Sequence, residues 1–182
     1  MALITNPNGC ESDLPVVNFN ECNPTIVLSE IQTIFLAKNH ASEFDDIESP
    51  MEWAKRLSMT TTDKDAIRPI TVIADKPAGS PVVKELSNGR KKTVRLDQTL
   101  NVEIDDITNE NYNFMRVLQR GGQYKMWYKT AGGKIYGGNE GISDVFLQLN
   151  EVLGRGKDEI EKIQGTVTWS DERSPERDYS PI

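Results

Sequence analysis

This 182-residue chain holds only one histidine, two cysteines and three tryptophans. His40 alone excludes paired-histidine catalysis, and with Cys10 and Cys22 it falls one ligand short of a four-coordinate zinc site unless a carboxylate helps. The two cysteines can pair and pin the N-terminal stretch, but a reducing cytoplasm favours two thiols. No apolar run approaches the ~18 to 20 residues of a membrane span. The opening MALITNPNG lacks the basic and apolar regions of a secretion signal, so the chain is expected to be made and kept in a cytoplasm. A net charge of −7 and a pI near 4.9 exclude wrapping or reading of nucleic acid by the molecule as a whole.

Catalytic signatures are missing too. GGKIYGGNEG, Gly132 to Gly141, follows a Gly-Gly-Lys with Ile135 where a phosphate loop needs a hydroxyl, and its spacing misses the dinucleotide fingerprint. Its glycines suit a two-residue hairpin turn over Ala131 to Lys134 and a looser turn or bulge over Gly137 to Gly141. Gly141-Ile142-Ser143-Asp144-Val145 lacks the second glycine of a nucleophile elbow. Asp45-Asp46 and Asp105-Asp106 are adjacent carboxylates that a strand would point to opposite faces and a loop would leave solvated, so neither makes an acid–base pair, and the acidic loop does not follow the calcium-loop pattern. We expect no enzyme, no cofactor and no metal.

What is present is an ordinary globular composition, 37% hydrophobic and 27% charged, enough for one core in one domain. Residues 1–24, rich in Asn, Pro and acidic side chains, read as an arm. TIVLSEIQTIFLAK, 25–38, fits helix or strand, with the crowding of Ile, Thr and Phe favouring strand. An acidic insertion over about 40–65 carries Ser49-Pro50-Met51-Glu52, the spacing of a capping box with Pro at the first helical position, followed by Trp53, Ala54 and Leu57 as a buried stripe.

From Ile67 the chain becomes β-rich. IRPITVIAD reads as a strand, and Asn88-Gly89 marks a protruding hairpin over about 82–95. From Thr93 to Asp105, Val94, Leu96, Leu100, Val102 and Ile104 alternate with polar residues, and Gln98 alone breaks the apolar face. Thirteen residues at ~3.3 Å each span about 43 Å, so this strand must bend or overhang its domain. An amphipathic helix follows, capped by Thr108 or Asn109, with Tyr112, Phe114, Met115, Val117 and Leu118 on its apolar side and Gly121 ending it. QYKMWYKT, KIYGG, ISDVFLQLNEV and IEKIQGTVTW are four strand candidates before a charged tail, 171–182. The expected fold is mainly β, a β-sandwich or partly closed barrel over 25–170, with one flanking helix, a short capped helix in the early insertion, and extended arms at both ends.

Such arms and an overhanging hairpin cost roughly 1 to 2 kcal/mol of chain entropy per ordered residue, which a partner's surface must offset. They point to self-assembly, in which an arm or edge strand extends a neighbour's sheet. The stretch VVKELSNGRKKTVRLDQTLNVEID, the helix NYNFMRVLQ, the strand pair QYKMWYKTAGGKIYGG and the closing IQGTVTWSDERSPERDYSPI resemble, in order and in local phrases, the tail tube (major tail) proteins of long-tailed bacteriophages, related to the tube proteins of contractile injection systems. The resemblance spans about Ile67 to the C-terminus. It implies a virion structural protein assembled in the host cytoplasm into hexameric rings that stack as a tail tube, with DNA only as non-specific cargo in an acid-lined lumen. It also implies other tail or connector proteins as partners and no membrane.

The early acidic segment departs from a minimal tube subunit and leaves room for a head-to-tail connector or a capsid-associated role. The tip residues Arg90, Lys91 and Lys92 are expected to meet an acidic surface of the neighbouring ring, with Glu43, Asp45, Asp46 and Glu48 as its carboxylates. A second class of function is a soluble binding module whose face is built from Trp127, Tyr128, Tyr136 and Trp169.

Overall fold

The alternation along the chain closes on itself. In the computed structural model, which describes residue 17 and residues 21–182, nine strands and two α-helices are seen: β1 Ile31–Lys38, α1 Pro50–Ser58, β2 Ile67–Asp75, β3 Ser80–Glu85, β4 Lys91–Ile104, α2 Asn109–Leu118, β5 Tyr124–Thr130, β6 Lys134–Tyr136, β7 Ile142–Val152, β8 Lys162–Asp171 and β9 Arg177–Tyr179. Strands β1-β2-β4-β8-β7-β5 are neighbours in that order, and β5 returns to pair with β1. The mainly β expectation holds, and the barrel is closed, with six antiparallel strands. Closure follows from β1, which pairs along one edge with β2 and along the other with β5, so neither edge is left open.

Inward side chains fill the barrel, as expected at this strand number. Leu100, Val102 and Ile104 of β4 meet Ile163, Val167 and Trp169 of β8, with Leu147 and Leu149 of β7 and Met126 and Tyr128 of β5 behind them. Gln98, the polar interruption, also points into the buried side and donates from Nε2 to the Arg173 carbonyl at 3.4 Å, tying the segment after β8 back to β4. Helix α2 lies where β4 ends and β5 begins, sending Met115 and Leu118 into the interior cluster. Thr108 caps it by accepting from the Asn111 amide, and Gly121 turns its end at φ 84°. Val117 does not join the apolar side, because the barrel reaches only Met115 and Leu118, and it stays exposed.

A second core sits outside the barrel wall. Phe35 and Ala37 of β1, Trp127 of β5 and Ile135 of β6 face outward and are covered by Ala41, Phe44, Ile47 and Trp53 of the acidic insertion. Phe44 packs edge-on to Trp127 at 5.3 Å, and Trp53 lies 4.9 Å from Phe35. This explains the ambiguity of 25–38: both faces of β1 are buried, so neither helical nor strand period stands out. The strand reading holds for 31–38, whereas 25–30 form no strand and pass the β5–β6 loop, where Ala131 donates to the Glu30 carbonyl and Gly132 to that of Leu28.

Two details of α1 differ from the expectation. Ser49 makes no side-chain cap bond. Glu52 instead accepts from the Asp45 and Asp46 amides and from Arg56 at 2.7 Å. Partial burial works to raise the Glu52 pKa, but the Arg56 hydrogen bond and those two amides outweigh it and hold the carboxyl below its ordinary range. Ala54 is exposed, and Arg56 takes its place in the buried stripe. Its guanidinium donates to the Ser42 and Glu43 carbonyls and stacks 4.0 Å over Phe44.

The glycines form corners, with a different loop length from that expected. Ala131 to Gly133 make a three-residue loop between β5 and β6, with Gly133 in the left-handed region at φ 69° and its amide donating to Thr130. Gly137 and Gly141 hold backbone close against the Trp127 indole, where a Cβ at either would come within 2.6 Å of the ring. The indole Nε1 donates to the Gly138 carbonyl at 2.9 Å.

The charged C-terminal stretch, expected as a tail from 171, is docked on its own domain. It adds β9 beside β6, donates from Ser180 to the Gly133 carbonyl, and brings Ile182 against the second core. Lys129 Nζ also donates to the Ile182 carbonyl. Cys10 lies outside the described residues, as does most of the expected N-terminal arm, and Cys22 is exposed.

Candidate assembly interface

Strand β4 is longer than the barrel is tall. Its residues from Leu96 onward pair with β8, but the part before Leu96 pairs only with β3, from Val82 opposite Arg95 to Glu85 opposite Lys91. Beyond the wall, therefore, β3 and the first part of β4 form a two-stranded ribbon. At its tip Asn88 at φ 63° and Gly89 at φ 68° turn the chain, and Leu86 donates to the Arg90 carbonyl at 2.7 Å. The root is stiffened by Asp97, which accepts from Ser170 at 2.7 Å and from Arg95 at 2.9 Å. The Ser170 bond, with Arg95 in support, holds the Asp97 carboxyl below its ordinary range.

Arg90, Lys91 and Lys92 all stand exposed on this tip. Arg90 folds back to the Ser87 carbonyl. The ion pairs among the described residues, Glu52–Arg56, Asp97–Arg95 and Glu103–Lys162, do not involve the three tip residues. The ribbon is not purely charged: Val83, Leu86 and Val94 are 48%, 46% and 39% exposed. A two-stranded ribbon with apolar side chains in water is marginal without something to cover it.

Glu43, Asp45, Asp46 and Glu48 are also exposed, interleaved with the buried Phe44 and Ile47. That alternation fastens the segment to the outer wall. Phe44 donates to the Asn139 carbonyl and Ile47 to the Asn139 side chain, while Glu48 Oε1 accepts from the Tyr179 amide. Glu43 shares a cavity of about 560 Å³ with Glu140, Asp171, Glu172 and Glu176 against the single cation Arg173, so a net negative surface continues around this flank. Nearby, burial raises the Asp178 pKa, and the Glu176 and Glu48 charges raise it further. The structure does not join the tip to this segment within one chain. Asp171, which lines the cavity with Glu43, pairs with Leu96 at the root of the hairpin, so the acidic flank and the hairpin root adjoin.

Sequence reasoning missed one concave surface. β2 pairs with β4 only through Ile73 to Asp75 and then diverges, and α2 fills part of the gap. The remaining crevice, about 500 Å³, is floored by Ile70, Phe114, Met115 and Leu149 and rimmed by Asp105, Asp106 and Glu110. The Asp105-Asp106 pair, weighed only as catalytic, was the sole local signal for it.

Of the aromatic residues considered for a binding module, Tyr128 and Tyr136 line a cavity of about 450 Å³ with Ile31, Ala74 and Lys76, whereas Trp127 is enclosed in the outer core. Trp127, Tyr128 and Trp169 are buried in the two cores, and Tyr136 stacks on Tyr128 with ring centroids 4.7 Å apart. Burial raises the Tyr128 phenol well above its ordinary pKa, and the neighbouring Tyr136 adds to the rise. Among the described residues no His, Cys, Asp and Glu side chains cluster as metal ligands would, and no helix is long and apolar enough to cross a membrane. No protein-family model matches this chain, and no curated protein or solved structure does either.

Proposed function

We propose that this chain is the subunit of a self-assembling tube, forming rings that stack end to end as in the phage tail tube proteins it resembles. The observation that carries the reading is the ribbon: Val83, Leu86 and Val94 lie exposed beyond the barrel beside unpaired Arg90, Lys91 and Lys92. A neighbouring copy that covers this ribbon removes apolar surface from water and supplies counter-charges at the same place. The acidic flank through Glu43, Asp45, Asp46 and Glu48 is the second surface of the assembly. Where it faces a lumen, its charge keeps a passing nucleic acid from adhering, because like charges repel and no counterions are released. The chain acts by shape and charge, with no covalent chemistry. A connector or capsid-associated subunit would draw on the same surfaces but end in one closed ring.

Sedimentation and negative-stain microscopy test the proposal. The wild-type chain is expected to form rings and tubes. Reversal of Arg90, Lys91 and Lys92 to glutamate should leave the melting temperature within a few degrees while raising the concentration needed for assembly. Exposed ion pairs contribute only ~0 to 1 kcal/mol each, yet three reversals also add repulsion, so a rise of about tenfold or more is expected, equivalent to roughly 1.4 kcal/mol. A wild-type chain that stays monomeric at high concentration would overturn the reading.

A further inference from the structure

The ribbon tip and the α2 crevice lie at opposite ends of one strand. β4 begins at Lys91 on the tip and finishes at Ile104 in the crevice lining, with Asp105 of the rim next in sequence. The first and last of its fourteen residues are separated, at ~3.3 Å per step, by about 43 Å. A subunit cannot fold its own tip into its own crevice across that distance. Translating a second copy along the strand direction brings the two together.

We infer that the crevice between α2 and β2 receives the β3–β4 tip of a second copy of this chain. The inference rests on the assembly proposed above and names the surface that the tip meets. The two sides match in kind. The tip offers Val83 and Leu86 among Lys84, Arg90, Lys91 and Lys92, and Glu85 is its one carboxylate. The crevice offers an apolar floor at Ile70 and Phe114 under the carboxylates Asp105, Asp106 and Glu110. Its one cation, Arg68, is held by bonds to the Met59 carbonyl at 2.7 Å and that of Ile67 at 3.0 Å and keeps its charge, so the three rim carboxylates outnumber it and the crevice stays net negative. Apolar contact supplies the affinity and the charges set the register.

The acidic flank at Glu43 to Glu48 has charge but a different place. It adjoins the hairpin root, and its apolar residues Phe44 and Ile47 are already buried at home. A head-to-tail step therefore carries the tip to the crevice, leaving the flank for contacts around the ring or for the lumen. Because tip and crevice are distinct patches, the contact is heterologous and repeats without closing along the axis, as a stack of rings requires.

Directed disulfide formation between copies tests this. In a background carrying Cys10→Ser and Cys22→Ser, one preparation bears Leu86→Cys and is mixed with a second bearing either Glu110→Cys or Asp45→Cys. Each mixture is first checked for assembly by sedimentation and then exposed to a mild oxidant. The expected result is a covalent dimer from the Glu110→Cys mixture, forming at least fivefold faster than from the Asp45→Cys mixture. Assembly with faster linkage to Asp45→Cys, or with linkage to neither, overturns the crevice as the receiving surface while the tube reading stands. If even the unsubstituted chain fails to assemble, the tube reading falls and takes this inference with it.

Discussion

Gly165→Ala should prevent the barrel from closing. A Cβ at this position would stand 1.8 Å from the Gln148 carbonyl oxygen and 2.8 Å from both the Gln148 carbonyl carbon and the Leu149 Cα. These are backbone atoms of β7, opposite which Gly165 is paired, and β4 lies on the other side through Val102. No rotamer change relieves such a contact; one strand has to move away, and moving β8 breaks a ladder on either side. The expected cost is above ~4 kcal/mol, a magnitude confined to a few mechanisms, of which overpacking against fixed backbone is one. The variant should be insoluble or lack a cooperative melt by circular dichroism. A soluble protein melting within about 5 °C of wild type would show that β7 and β8 do not approach as described.

Trp127→Ala should be the next most damaging change, and its damage should begin outside the barrel. The indole is wholly buried, touches Phe44 and Trp53 edge-on, donates to the Gly138 carbonyl, and is wrapped by Gly137 and Gly141. Removing it opens a large cavity and strips a buried carbonyl of its donor, together about 3 to 5 kcal/mol. For a chain of this length that corresponds to a fall in melting temperature on the order of 10 °C. The covering segment, Ala41 to Trp53, loses its main anchor, so its amides should exchange with deuterium faster than those of β4 and β8. Trp127→Phe, which keeps most of the volume but not the donor, should lose less than half as much. Equal loss in the two variants, or uniform exchange across the chain, would mean that the outer core is not the separately held layer described.

The parts of the fold that show in the sequence are those whose causes are local. β4 reads plainly because one of its faces is wet, so polar and apolar residues alternate. Asn88-Gly89 marks its turn because both residues take positive φ, and Thr108 and Gly121 mark the ends of α2 through a cap bond and a left-handed turn. Features that depend on distant residues do not show. Closure of the barrel comes from β1 meeting β5 some 90 residues later, and nothing near Ile31 announces it. Helical spacing makes Ala54 look buried and Arg56 look exposed. The reverse holds because two backbone carbonyls and Glu52 happen to ring the guanidinium. β9 is only Arg-Asp-Tyr, too short and too charged to signal a strand. Of the candidate interface, the basic tip was legible from its turn and its three cations. The crevice was not, since it exists only where β2 parts from β4 and α2 stops short of filling the gap.

The central claim is that the overhanging ribbon is completed by another copy of the chain. Amide hydrogen exchange at Val83 to Val94, followed from dilute to concentrated wild-type protein, addresses it without altering a residue. Protection at these amides should rise at least tenfold with concentration while that of the barrel strands stays constant. Exchange at the tip that remains fast and unchanged over the whole range would contradict the account.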